Sequence, residues 1–218
     1  MCMNSEESPH QPRQERSRAT AERLLNATIR ILDESGLDGA VIPRIAAVAK
    51  VAPASVYRRF ADKEALLRAA FMHVLKQSNQ ANHQQLKTLI LRDTLASTSK
   101  CLITLLFKQF QQHPHLFRAL SHFIDADSNS EFANEARSIM SANVDVIVEI
   151  LLMHRSEIAH GLPESALRFA VLNVTCSIET FTLDPRSLWH TEPSTSESEL
   201  AESLVHSFVA YLTTSQAA

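Results

Sequence analysis

The densest run of groups able to do chemistry in this 218-residue chain is Pro53-Ala54-Ser55-Val56-Tyr57-Arg58-Arg59-Phe60. Pro53, Ala54, Ser55 and Arg58 are small or polar, which suits a helix that must approach base edges in a DNA major groove. Val56 and Phe60 can turn inward instead. Arg58 and Arg59 are adjacent and so point about 100° apart on a helix. One can reach a guanine edge while the other meets a phosphate. The competing reading is that they are solvated surface charges.

Other chemistry is sparse. Among ten histidines, His113 and His115 flank Pro114, and His115 and His122 share a helical face, but no His/Cys/carboxylate set has metal-ligand spacing. No metal and no cofactor is expected. Cys2, Cys101 and Cys176 lie far apart, which argues against a disulfide framework or a Cys-based zinc site. Cys101 and Cys176 read as buried small hydrophobes. A G-x-S-x-G elbow, an H-E-x-x-H helix, a P-loop and a paired catalytic carboxylate set are all missing, so an enzyme is not expected.

The elements that must position Arg58 are helices. Only 3 glycines stand against 45% hydrophobic residues, and apolar side chains recur at helical spacing almost throughout. Leu24, Leu25, Thr28, Ile31 and Leu32 make one face of a helix over about 17–35, with Gly36 placed for a left-handed cap. Short helices follow over 43–49, with Pro43 in its first turn, and 54–60, after a turn at Lys50-Val51-Ala52-Pro53. Asp62 is placed to cap a long helix reaching about 83. Further helices are expected over 86–112, 115–124, 131–159, 164–182 and 197–213, with loops at 125–130 and 183–196. The fold class is all-α, about nine helices.

Three consecutive helical pieces, the last two joined tightly, are helix-turn-helix architecture. Charge agrees weakly: residues 1–76 hold 12 Lys/Arg and 9 Asp/Glu, whereas 77–218 hold 9 and 15. No apolar run approaches the roughly 18 residues a membrane span needs. The N-terminus has no apolar signal region, so no membrane and a cytoplasmic location are expected.

Residues 16–76, above all Val51–Phe60 with Asp62-Lys63-Glu64-Ala65-Leu66-Leu67, resemble the N-terminal DNA-binding domain of the TetR family of transcriptional regulators. The tyrosine followed three residues on by phenylalanine, then a lysine and an apolar helix, carries the resemblance. It implies a homodimer on a two-fold, double-stranded DNA operator, and a small-molecule effector. By position, Pro53, Ala54, Ser55 and Arg58 would face bases, and Tyr57, Arg59 and Lys63 would hold phosphates. Arg16 and Arg18 would add backbone contacts, and Arg44 would take over from a polar residue that Pro43 replaces. Lys50 stands where glycine is common, which calls for a positive φ or a different turn.

The domain layout expected is an arm at 1–15, a helix-turn-helix domain at 16–62 and an effector-binding and dimerisation domain at 63–218. A cavity in the last would be lined by residues such as Leu105, Phe110, Phe117, Phe123, Met140, Met153, Phe169, Asn173, Cys176 and Trp189. The second apolar side of the 164–182 helix, with the 197–213 helix, is the expected dimer face. The function expected is that of a repressor released from a palindromic operator by its effector. The alternative is a helical interaction module that has lost DNA binding.

Overall fold

Helix follows helix in the computed structural model, which describes residues 11–126, 130–184 and 196–214. Among these residues there are nine α-helices, one 3₁₀ turn and no strand. They form two compact units, Met1–Val74 and Leu75–Ala218.

The first unit holds α1 (Gln11–Gly39), α2 (Ile42–Val48), α3 (Pro53–Tyr57) and the start of α4 (Lys63–Ile90). Its core is the expected stripe: Leu24, Ile31 and Leu32 of α1 are fully buried with Ile45 and Ala46 of α2 and Leu66, Ala70 and Phe71 of α4. Thr28 sits in that stripe because its hydroxyl donates to Leu24 O at 2.8 Å, leaving no bare polar atom. Gln11–Glu15, read from sequence as part of an arm, are helical. Pro12 falls in the first turn, where it removes no helical hydrogen bond. The rest of that arm, 1–10, lies outside the described residues.

Two left-handed residues shape this unit. Gly36 has φ 62 and interrupts α1 where a cap was expected. Lys50 has φ 55 and closes α2. Its N–H donates to Ala47 O at 3.1 Å and that of Val51 to Ala46 O at 3.0 Å, which is the Schellman pattern. The chain therefore leaves α2 in a tight reversal, and Pro53 starts α3 three residues later.

The second unit begins at Leu75 within α4 and adds α5 (Leu95–Gln112), α6 (Pro114–Ala126), α7 (Glu131–Leu152), the 3₁₀ turn Arg155–Glu157, α8 (Pro163–Leu183) and α9 (Glu197–Thr213). α5 packs on both α8 and α9, and α7 on α8. Leu102, Ile103, Leu151, Leu167, Ile178 and Leu212 are at most 1% exposed at its centre. α4 is tied to α7 by polar bonds: Asn79 and Asn82 both donate to Asn143 Oδ1, at 3.1 and 3.0 Å, and Lys76 pairs with Glu135 at 2.7 Å.

Besides α1, longer than expected at both ends, and α3, which stops at Tyr57 instead of reaching 60, three helix boundaries differ from the sequence reading by seven residues or more. α4 runs on to Ile90, and the helix expected over 86–112 is broken at Leu91–Thr94. Thr94 accepts from Ser97 N at 3.2 Å and starts α5 afresh, while the Arg92 guanidinium donates to Leu89 O and Leu91 O and so ends α4. Helix α7 stops at Leu152 instead of reaching 159, because distant partners claim the residues beyond it. His154 Nε2 lies 3.0 Å from buried Thr98 Oγ1, and Glu157 accepts from Leu95 N at 2.9 Å. Ala159 N donates to Leu212 O at 2.8 Å.

Helix α8 is apolar over a longer stretch than the sequence reading allowed for any segment. Pro163–Leu183 is long and apolar enough to cross a membrane by length and composition, alone among the described helices. The buried core helix of a globular domain passes the same test. Here one face, with Leu167, Ala170, Val171, Val174 and Ile178, is in the core.

The two left-handed positions should respond oppositely to substitution. No atom lies within 4 Å of a Cβ added at Gly36, but its φ 62 and ψ −161 are open essentially to glycine alone, so Gly36→Ala is expected to cost about 1–3 kcal/mol through backbone strain. Lys50→Gly relieves that strain and should be neutral or stabilising by up to about 1 kcal/mol. Urea unfolding of both variants checks the sign.

Candidate nucleic-acid interface

What α3 presents follows from Val56, which is 1% exposed and anchors the helix to the core. With that side chain inward, Pro53, Ala54, Tyr57 and Arg58 face solvent. Tyr57 is 59% exposed, so packing against α1 does not account for it. Arg58 extends from the end of α3, and its guanidinium donates to Ser55 Oγ at 2.7 Å. Ser55 thereby holds the Arg58 fork near the helix. Arg59 is half-buried and donates to Ser55 O at 3.3 Å. Both guanidinium groups thus bond Ser55, that of Arg58 at the hydroxyl and that of Arg59 at the carbonyl.

Around α3 the other expected contacts are engaged to different degrees. Lys63 is half-buried, and its Nζ lies 3.5 Å from Leu37 O, a weak bond that the side chain can exchange. Asp62 accepts from Ala65 N at 2.7 Å. The N-cap expectation holds, and one amide at the start of α4 already has an anionic partner. Arg18 is exposed on α1, and Arg16 belongs to the same helix.

Arg44 is the expected contact most committed elsewhere. It donates to Ser35 Oγ at 3.0 Å and lies 3.5 Å from Glu34 Oε2, and Glu34 also pairs with Arg30 at 2.7 Å. The sequence reading missed this Arg30–Glu34–Arg44 chain. The Arg30 to Glu34 spacing of four residues was a legible signal, but Arg44 joins only through tertiary packing. The hydrogen bond from Arg30 holds the Glu34 carboxyl below the usual carboxylate range.

In the second unit the expected cavity residues do not converge. Phe110 and Phe117 stack with ring centroids 4.5 Å apart, and Phe123 meets Phe132 edge-on at 5.7 Å. Met140, Met153, Phe169, Asn173 and Cys176 are exposed. Trp189 lies outside the described residues. Cys176, read as buried, shares an uncovered face of α8 with Phe169 and Leu172, spaced i, i+3, i+7 and opposite the core stripe. Two surface grooves border α5: one of about 340 Å³ against α9, one of about 430 Å³ against the end of α4. Of the expected cavity set, only Leu105 borders either. Among the described residues no group of three or more His, Cys, Asp or Glu could hold a metal ion.

Residues 24–70 match the family described as bacterial regulatory proteins, tetR family. The HTH-type transcriptional regulator BetI of Burkholderia ambifaria is 36% identical over 63 residues, which are 29% of this chain and 32% of that protein. The chain thus spans about a third of the length of the curated relatives it matches. Solved structures resemble more of it. FadR from Bacillus subtilis, in complex with stearoyl-CoA, has a TM-score of 0.63 at 18% identity over 87% of this chain and 98% of that one. NalD, the secondary repressor of the MexAB-OprM multidrug efflux pump in Pseudomonas aeruginosa, has 0.55 at 22% identity over 91% and 98%. At these identities the resemblance is one of fold.

Because the Glu34 carboxyl is depressed, its contribution to stability is present at neutral pH and is lost as pH falls through its folded pKa. A carbon-detected NMR titration should find Glu34 below an ordinary glutamate. In Arg30→Ala it should return most of the way, and an unmoved titration would show that the pair is not formed in solution.

Proposed function

We propose that this chain, which belongs to the tetR family of bacterial regulatory proteins by its N-terminal domain, is a sequence-specific transcriptional repressor that binds a palindromic operator as a homodimer. The observation that carries this reading is α3. A five-residue helix held by one buried valine offers Pro53, Ala54, Tyr57 and Arg58 to solvent, set off from α2 by a tight reversal. That is the shape a recognition helix needs to enter a groove without its neighbours colliding with the backbone. Pro53, Ala54, Ser55 and Arg58 face the bases, while Tyr57, Arg59, Lys63, Arg16 and Arg18 hold phosphates. Arg44 takes part only by exchanging Glu34 for a phosphate.

Dimerisation is supported by α8. Phe169 and Leu172, 51% and 60% exposed, stand on its outer face, and Leu162, just before it, is 75% exposed. Two copies of such a face would bury one another. The proposed effector is a small molecule taken up by the second unit, on the side of Leu105, Phe110, Phe117 and Phe123. FadR, a fold relative, holds stearoyl-CoA, which supports a ligand in a unit of this architecture. An effector acts only through its differential affinity for two states, here DNA-competent and released, and α4 is the element both units share. A cytoplasmic location and the lack of an enzymatic reaction go with this reading.

Fluorescence anisotropy on DNA from the chain's own upstream region tests it, with a genome-wide selection of bound fragments in case the operator lies elsewhere. Arg58→Ala is expected to cost about 1–3 kcal/mol and to relax sequence preference, the mark of a base contact. Arg59→Ala should weaken all sequences alike and reduce the salt dependence by about one unit of slope. Indifference of every genomic fragment to Arg58→Ala would favour the interaction-module reading.

A further inference from the structure

Between the end of α4 and α5, the groove of about 430 Å³ has a lining unlike the surface around it. Its size lies in the range of small-ligand sites, about 300–1,000 Å³. Leu89, Ile90 and Leu105 supply apolar wall, and Arg92, Lys100 and Lys108 stand at it. These are three of only nine Lys/Arg in residues 77–218, against 15 Asp/Glu. Cation is concentrated at this groove within a segment that is acidic on the whole.

The cations are not equivalent. Arg92 gives two donors to the carbonyls that end α4, which fixes it at the groove with less capacity to spare. Lys100 and Lys108 are exposed, and among the described residues neither is in an ion pair. They lie eight residues apart on α5, about 12 Å along its axis, with Thr104 between them. Leu89 is 53% exposed beside them. Exposed Leu89 and part-buried Leu105, sharing a groove with two ammonium groups that form no ion pair among the described residues, are complementary to an elongated molecule with an aliphatic body and an anionic head. The companion groove against α9 shares Lys100 and Thr104 but includes Glu202, whose carboxylate opposes an anion there.

We infer that the α4–α5 groove is a binding site for a free fatty carboxylate, its chain on Leu89 and Leu105 and its head on Lys100 or Lys108. This inference is independent of DNA binding and lies outside the effector side proposed above, except at Leu105. Isothermal titration calorimetry of the full chain with sodium decanoate, kept below its micelle concentration and without DNA, tests it. One saturable site per chain is expected. Affinity should fall at least about tenfold in the double variant Lys100→Glu, Lys108→Glu, and by a similar factor for the uncharged 1-decanol. Leu89→Ser, an exposed change, should weaken binding without unfolding the chain, as circular dichroism will verify. Absence of saturable binding, equal binding of 1-decanol, or unchanged affinity in the charge-reversed chain would overturn the site. Displacement of decanoate by hexaglutamate at lower concentration would overturn it in favour of an acidic protein partner.

Discussion

Lys50 occupies a backbone conformation that a side chain with a Cβ disfavours by about 1–2 kcal/mol, and much of the N-terminal unit depends on it. A left-handed residue at that position lets two amides reach back to Ala46 and Ala47, so α2 ends with its carbonyls satisfied and the chain reverses within three residues. Pro53 then starts α3 with no amide to satisfy. Once the angle between α2 and α3 is fixed in this way, burying Val56 is enough to decide which side chains of α3 meet solvent. The disfavoured φ persists because Ala46 and Ala49 before the turn and Val56 after it are buried and would be pulled out of the core by any wider loop.

In the second unit helix ends, more than helix faces, are where distant parts of the chain meet. Thr98, His154 and Glu157 bind the start of α5 to the turn after α7, and the backbone at Ala159 binds that turn to the end of α9. The bonds at Leu95 N and Leu212 O satisfy groups that a helix terminus leaves bare. The Asn79–Asn82–Asn143 bonds do something different. With the Lys76–Glu135 pair they make a polar seam between α4 and α7, and a seam of this kind specifies register more than it stabilises.

Charge is distributed with the same economy. In the N-terminal unit Arg44 shares the Glu34 carboxylate with Arg30 and also bonds Ser35, whereas Arg58 is bonded to a serine hydroxyl and has further donors to give. That contrast separates a structural arginine from one available to a phosphate or a base edge, and composition alone does not reveal it.

Fold class, the three-helix N-terminal unit, the Asp62 cap and the break at Gly36 were legible in the sequence, because each follows from local periodicity or from the preferences of one or two residues. The positive φ at Lys50 was one of two options, and it came from the glycine common at that place in the resembling family, since lysine itself disfavours the conformation. The inward turn of Val56 was legible from local periodicity. The ends of α4, α5 and α7 were not, since the groups that claim them lie far along the chain: Glu157 is 62 residues from Leu95. Nor was the sorting of apolar residues on α8. Phe169 and Cys176 are as hydrophobic as Val171 and Val174, and periodicity reported two apolar sides without saying which one meets the core. Tertiary packing decided that, because a helix with two apolar faces is turned by the neighbours that bury one of them.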